Sequence, residues 1–247
     1  MQASTKMSRA KFGGFPAAGM KFLRDLAKNN DRDLFQPRKD TFDAQVKAPM
    51  IELLEGINVE LKKFAPDFVC DPPKAIYRIY RDTRFSNDKT PYKTHIAANL
   101  PRRGLQKHAG GGSYFSVSPT AVEVARGVYM PGPEELLSLR MHLAVNHSEF
   151  RKLDAKITKL MGELQGDQLT RVPKGFHPDQ PAADLIRRKQ FFYYKTLPGK
   201  LATSPDLFGE LITRFKALLP VIEFLNQPLL RTKPRSVEPR KMERLID

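Results

Sequence analysis

The chain has 247 residues, 40% of them hydrophobic and 28% charged, a balance that describes a folded globular protein and excludes an intrinsically disordered one. Cys70 is the only cysteine, which excludes an intrachain disulfide, and no run of about 18 apolar residues offers a membrane-spanning helix. The formal net charge of +15 predicts attraction to anionic small molecules or polyanions and constrains the fold not at all.

Residues 1–14 read as a flexible N-terminus. They are basic, and Gly13, Gly14, Pro16 and Gly19 break the apolar stretch a secretory signal needs, so a cytoplasmic location is expected. Phe22, Leu23 and Leu26 predict a short amphipathic helix ending near Asn29-Asn30. Phe42, Val46, Met50, Leu53, Ile57, Leu61 and Phe64 recur at steps of three and four, one apolar helical face. Pro49 interrupts that pattern and predicts a kink, or a second helix with Pro49 in its first turn. Asp71-Pro72-Pro73 ends the helical part.

The centre reads as β-structure. Ile76–Arg81, Thr94–Leu100, Tyr114–Val117 and Val122–Tyr129 are rich in β-branched and aromatic residues, with Ser118-Pro119-Thr120 as a tight connection. Consecutive strands without intervening helices predict an antiparallel meander. Gly110-Gly111-Gly112 precedes a strand instead of opening a helix, so it reads as a flexible turn and not a phosphate loop. After Pro131-Gly132-Pro133 a helix is expected to about Asn146, and then another capped by Ser148 with Phe150, Leu153, Ile157, Leu160 and Leu164 on one face. Phe191–Lys195 reads as a late strand of the same sheet. Ser204-Pro205-Asp206 opens a last helix with Leu207, Leu211, Phe215, Leu218, Ile222 and Leu225 as its buried stripe and a kink at Pro220. The expected architecture is one α+β domain over 15–230, an antiparallel sheet of four to six strands packed with helices from both halves. Residues 231–247, with six cations against three acids, form a basic tail expected to be disordered.

Lys74–Lys93 holds six cations against Asp82 and Asp88. A strand would deliver Arg78 and Arg81 to a loop carrying Arg84 and Lys89, with the next strand beginning at Lys93. Residues three apart on a regular strand point to opposite faces, so Arg78 and Arg81 serve one site only if a bulge intervenes. Three readings stay open. In the first, Arg78, Arg81, Arg84, Lys89 and Lys93 bind a small phosphate- or carboxylate-bearing ligand, supported by Asp82, Asp88, Tyr92 and His95. In the second, the segment is a nucleic-acid module with Tyr77, Tyr80, Phe85 and Tyr92 as stacking surfaces, and affinity is weak and carried largely by the basic tail. In the third, the cations pair with Asp82 and Asp88 in a structural network.

The stretch R-I-Y-R-D-T-R-F-S-N-D-K-T-P-Y-K-T, from Arg78 to Thr94, closely resembles the signature of a widespread family of conserved hypothetical proteins. Phe22–Asn30 (F-L-x-x-L-x-x-N-N), Pro49, Gly127-Val128-Tyr129 and Leu139-Arg140 resemble it as well, and the likeness spans roughly 15–225. Leu34-Phe35 departs from it, standing where a tryptophan would precede the phenylalanine. The resemblance implies a fold and no activity.

Several mechanisms fit poorly. The five histidines form no H-E-x-x-H, and His142 and His147 lie five apart, on different faces of a helix, so no metal site is expected. Ser86-Asn87-Asp88-Lys89 has the S-x-x-K spacing of serine–lysine acyl enzymes, but in a loop, and Ser8–Lys11 repeats it in a terminus. Cys70 has no neighbouring histidine and sits beside Asp71, which disfavours its thiolate. No cofactor is expected, and the sequence sets neither an oligomeric state nor whether the protein is an enzyme.

Overall fold

The structure is a computed structural model and describes residues 12–231. Its elements run α1 (Ala17–Lys28), α2 (Arg32–Phe35), α3 (Lys39–Phe42), α4 (Ala48–Phe64), α5 (Pro72–Ala75), β1 (Ile96–Leu100), β2 (Gly112–Val117), β3 (Ala121–Val128), α6 (Pro133–Met161), α7 (Ala183–Ile186), β4 (Phe191–Pro198) and α8 (Asp206–Arg231). The four strands pair antiparallel in the order β1-β2-β3-β4, as the meander reading requires.

Alternation along the strands divides the sheet into two unlike faces. Ile96, Ala98, Leu100, Phe115, Val117, Val122, Val124, Phe191 and Tyr193 are buried against the helices. The α8 stripe Leu207, Leu211, Phe215, Leu218, Ile222 and Leu225 is fully buried, as its period predicts. The opposite face carries Asn99, Tyr114, Ser116, Glu123, Ala125, Gly127, Phe192 and Tyr194, and its residues on β3 and β4 stay partly exposed.

Pro49 lies in the first turn of α4, and a π-helical turn, Asp43–Lys47, joins α3 to α4. Proline lacks the N–H that would bond to Gln45 O, so the ladder is rearranged just before it. The Gln45 carbonyl instead closes on α1 at Gly19, where any Cβ would collide with it. A second break falls in α6 at Asn146, whose backbone is non-helical (φ −111°, ψ 22°) and whose Nδ2 donates to His142 O at 2.9 Å. The expected cap at Ser148 does not form, because its Oγ lies against the His147 ring. α8 continues through both Pro220 and Pro228.

Three expectations need correction. Ile76–Arg81 is not a strand. It makes isolated bridges, Ile76 to Ala98 and Tyr80 to Tyr92, because the pairing slips register between them, and Pro91 offers no N–H to extend the second past Arg81. The packed part begins ahead of residue 15, since Phe12 is buried with its ring edge-on to Phe15, 5.6 Å between centroids. The triple glycine is also held in place. Gly111 N donates to Asn226 Oδ1 at 2.7 Å and Asn226 Nδ2 donates to Gly111 O at 3.0 Å, both buried. The expected basic tail lies, apart from Arg231, outside the described residues.

The Asn226 clamp has two counterparts. Asn58 bonds Cys70 N and O at 3.0 and 2.7 Å, and Asn30 bonds Tyr92 N and O at 3.0 and 2.9 Å. In each case one carboxamide supplies the donor and acceptor that a neighbouring strand would give, which satisfies the backbone of an irregular segment.

Candidate functional site

The segment 78–94 is tied to the N-terminal helices at Tyr92. Beside the Asn30 clamp, the buried Tyr92 ring stacks on Phe35 at 4.2 Å with 19° between planes, and Tyr80 packs against both rings, 5.4 Å from Tyr92 and 6.3 Å from Phe35. Two stretches of the family resemblance, ending in Asn30 and containing Tyr92, are therefore joined by direct contact. Tyr92 is unavailable as a stacking platform; Phe85, 95% exposed, is the aromatic side chain the loop presents to solvent.

The cations of the loop are engaged by protein groups. Arg81 bonds Asp88 and Thr90. Arg84 forks onto Asp82, Nε to Oδ1 at 3.0 Å and Nη2 to Oδ2 at 2.7 Å. Lys89 donates to Thr83 O at 2.9 Å and Lys93 to Arg78 O at 3.1 Å. The hydrogen bond from Arg84 pulls the Asp82 carboxyl down to about 2, and the Thr90 amide followed by Arg81 does the same for Asp88. Arg78 is exposed, and among the described residues its guanidinium makes no hydrogen bond or ion pair. Ser86 lies in this loop and opens no helix, so the S-x-x-K arrangement is not assembled.

A sizeable concavity lies elsewhere, on the sheet face opposite the one that α8 covers. It encloses about 530 Å³, within the range of small-molecule sites. None of the five loop cations lines it. Its floor is nearly bare backbone: Gly112 pairs with Gly127 in the β2–β3 register, and Ala125 is the neighbouring open-face residue. Glycine at 127 is required twice over, by φ +150° and by the Phe191 carbonyl lying against the place a Cβ would take. Aromatic side chains make the walls, Tyr77, Tyr114 and His108 on one side and Phe192, Tyr194 and Tyr129 on the other. Asn99, Gln165 and Glu123 bring polar groups to it.

His108 is the one non-glycine residue with positive φ (72°) among the described residues, a conformation that costs strain and concentrates at binding sites. Its carbonyl accepts from Met130 N at 3.0 Å, tying the 101–111 loop across the cavity's end. Its ring stacks on Tyr77 at 16°. Two ammonium groups lie against that same Tyr77 ring, Lys107 at 4.6 Å and Lys93 at 5.3 Å. Lys93 thus links the basic segment to the cavity edge, while burial depresses its pKa, with Arg78 adding to the effect.

A second, smaller recess of about 270 Å³ adjoins the first through Glu123, which lines both, and includes His95, Ser116 and Arg24. Ser116 Oγ donates to Glu123 Oε2 at 2.7 Å. Burial raises the pKa of Tyr114, with Glu123 contributing; burial and a hydrogen bond to Glu123 raise that of Tyr194, so both hydroxyls remain protonated donors. His95 is held below its ordinary 6.5 by burial and by Lys93, against the opposing pull of Glu123, and is neutral at pH 7. No group of three or more potential metal ligands occurs among the described residues, and none of their helices is long and apolar enough to cross a membrane.

The sequence reading missed Asn99, His108, Tyr114, Glu123 and Tyr194. The signal was the alternation of small and polar residues, Glu123-x-Ala125-x-Gly127, opposite the valines of β3, but which face stays open is decided by where the helices pack. The chain belongs to the family described as conserved hypothetical protein (DUF2461), whose model matches residues 18–224. No curated protein and no solved structure matches it.

Proposed function

We propose that this member of the DUF2461 family binds a small anionic ligand on the open face of its sheet, with the anionic group held at the Tyr77 edge by Lys93 and Lys107. The observation that carries this reading is the coincidence of an aromatic-walled 530 Å³ cavity with two ammonium groups on the ring at its rim. Arg81 and Arg84 are already engaged by Asp88 and Asp82, so on this reading they are not the partners of the anion. Glu123, bonded by Ser116, is the carboxylate placed to orient a hydroxyl or amine of the ligand or to move a proton if the bound molecule reacts.

The test is a thermal-shift and calorimetric screen with inorganic phosphate, sugar phosphates and small carboxylates. The Lys93→Ala/Lys107→Ala double variant should lose the response while its unliganded melting temperature stays near that of the parent. A response that survives the double variant, or is lost with Arg84→Ala instead, moves the anion site to the loop.

A second reading, nonspecific nucleic-acid binding, is favoured by Phe85, fully presented to solvent with the Arg84 guanidinium 5.7 Å from its ring. Deleting residues 231–247 should then weaken binding and flatten its salt dependence, and Phe85→Ala should weaken it further. Tight binding at high salt that depends on Arg84 would put this reading first.

A further inference from the structure

We infer that the ligand of the open-face cavity is a flat heterocycle with an amide-like donor–acceptor edge that carries a phosphate, the chemistry of a nucleoside monophosphate. This rests on the proposed site and specifies its occupant.

Asn99 supplies the first observation. It is only 7% exposed and lines the cavity, yet among the described residues its carboxamide makes no hydrogen bond. Asn58 and Asn226, similarly buried, each satisfy both ends of the carboxamide on backbone groups. Facing the cavity without a protein partner, this carboxamide is left to bond water or a ligand there, and a ligand matching both of its ends gains two hydrogen bonds. The group it complements offers an acceptor and a donor side by side, as the N–H/C=O edge of a nucleobase or lactam does.

The floor and walls supply the second. Tyr114 and Tyr194 stand on either side of Ala125, each paired with it across one strand gap. Adjacent strands are about 4.8 Å apart, so roughly 10 Å separates the two tyrosine Cα atoms. One planar ring stacked at about 3.5 Å from each of two aromatic faces needs roughly 7 Å, which a Cα separation of roughly 10 Å is wide enough to admit. The Gly112–Gly127 pair beside it removes the side chains that would stop a ring from lying close to the backbone. Tyr77, with Lys93 and Lys107 on its ring, lies 6.2 Å from Tyr114 between centroids, and so places positive charge next to the slot and not within it. A base in the slot with its phosphate at the lysines uses both features.

The experiment measures calorimetric affinity of the full chain for uridine and guanosine 5′-monophosphates, ribose 5-phosphate and inorganic phosphate. At least one nucleotide should bind on the order of tenfold or more tightly than ribose 5-phosphate. Asn99→Leu should erase that advantage, leave ribose 5-phosphate affinity unchanged and not lower the unliganded melting temperature. Ala125→Leu, which fills the slot without touching Asn99 or the lysines, should erase it too. Equal affinity for nucleotides and ribose 5-phosphate, or nucleotide binding indifferent to both substitutions, overturns the inference while leaving the anion site standing. Failure of every phosphate compound to bind overturns both.

Discussion

Replacing Asn226 by leucine should be among the most damaging single changes in this protein. Asn226 is fully buried on α8, and its carboxamide holds both backbone groups of Gly111, at 2.7 and 3.0 Å, 115 residues away. Leucine keeps the branching at Cγ, is somewhat larger, and removes both bonds, leaving a buried N–H and a buried C=O unpaired. Each such group costs about 1–3 kcal/mol, so the expected loss is roughly 2–6 kcal/mol. For a chain of this size that lowers the melting temperature on the order of 10 °C. Asn226→Asp serves as a control: it keeps the acceptor for Gly111 N but sets an oxygen against Gly111 O, and should be no better than leucine. Gly111→Ala approaches the contact from the other side, since its Cβ would sit 2.9 Å from Asn226 Oδ1 and 3.1 Å from Ile222 Cγ2. Gly110 and Gly112 line the cavity, so ligand affinity should fall along with stability. Equilibrium urea unfolding measures the first effect and calorimetry the second. A leucine variant within about 0.5 kcal/mol of the parent, a change typical of inert surface sites, would refute the clamp as a stabilising contact.

Further outcomes follow from the same geometry. Because His95 is depressed below 6.5 in the folded chain, the unfolded state binds more protons there; stability is fully present above pH 6.5 and is lost as pH falls toward the folded value. His95→Gln should flatten the dependence of the urea midpoint on pH between about 7.5 and 5, leaving the part that belongs to His108, which burial also depresses; an unchanged slope would remove His95 from the account. Cys70, with its pKa raised to about 11 by burial, should be only ~0.1% thiolate at pH 8, and so should react with a thiol reagent far more slowly natively than in denaturant. Arg84→Ala should leave the melting temperature unchanged, since both Arg84 and Asp82 are largely in water; a clear loss would show that this pair holds the loop.

Periodicity alone determined the helical faces and the antiparallel sheet. Val46, Met50, Leu53 and Ile57, and the whole α8 stripe, are buried as their spacing demands, because a 3.6-residue repeat fixes which side chains share a side whatever they pack against. The same logic overreached at Ile76–Arg81, where β-branched and aromatic composition resembles a strand but the pairing slips register between Ile76 and Tyr80, so no continuous ladder forms. The basic segment was legible as charge, and its pairing was not: Arg81 with Asp88 and Arg84 with Asp82 depend on how the loop closes. The cavity was not legible at all. Alternation says that Glu123, Ala125 and Gly127 lie opposite Val122 and Val124, but burying either face would satisfy the strand. Only the packing of α8 and α6 against the valine side leaves the other face open, and only the return of the 101–111 loop to the end of β3 makes it concave. Likewise each clamping asparagine is a single polar residue whose partner lies 12, 62 or 115 positions away. Contacts at such separation follow from the packed arrangement of elements, which no local pattern encodes.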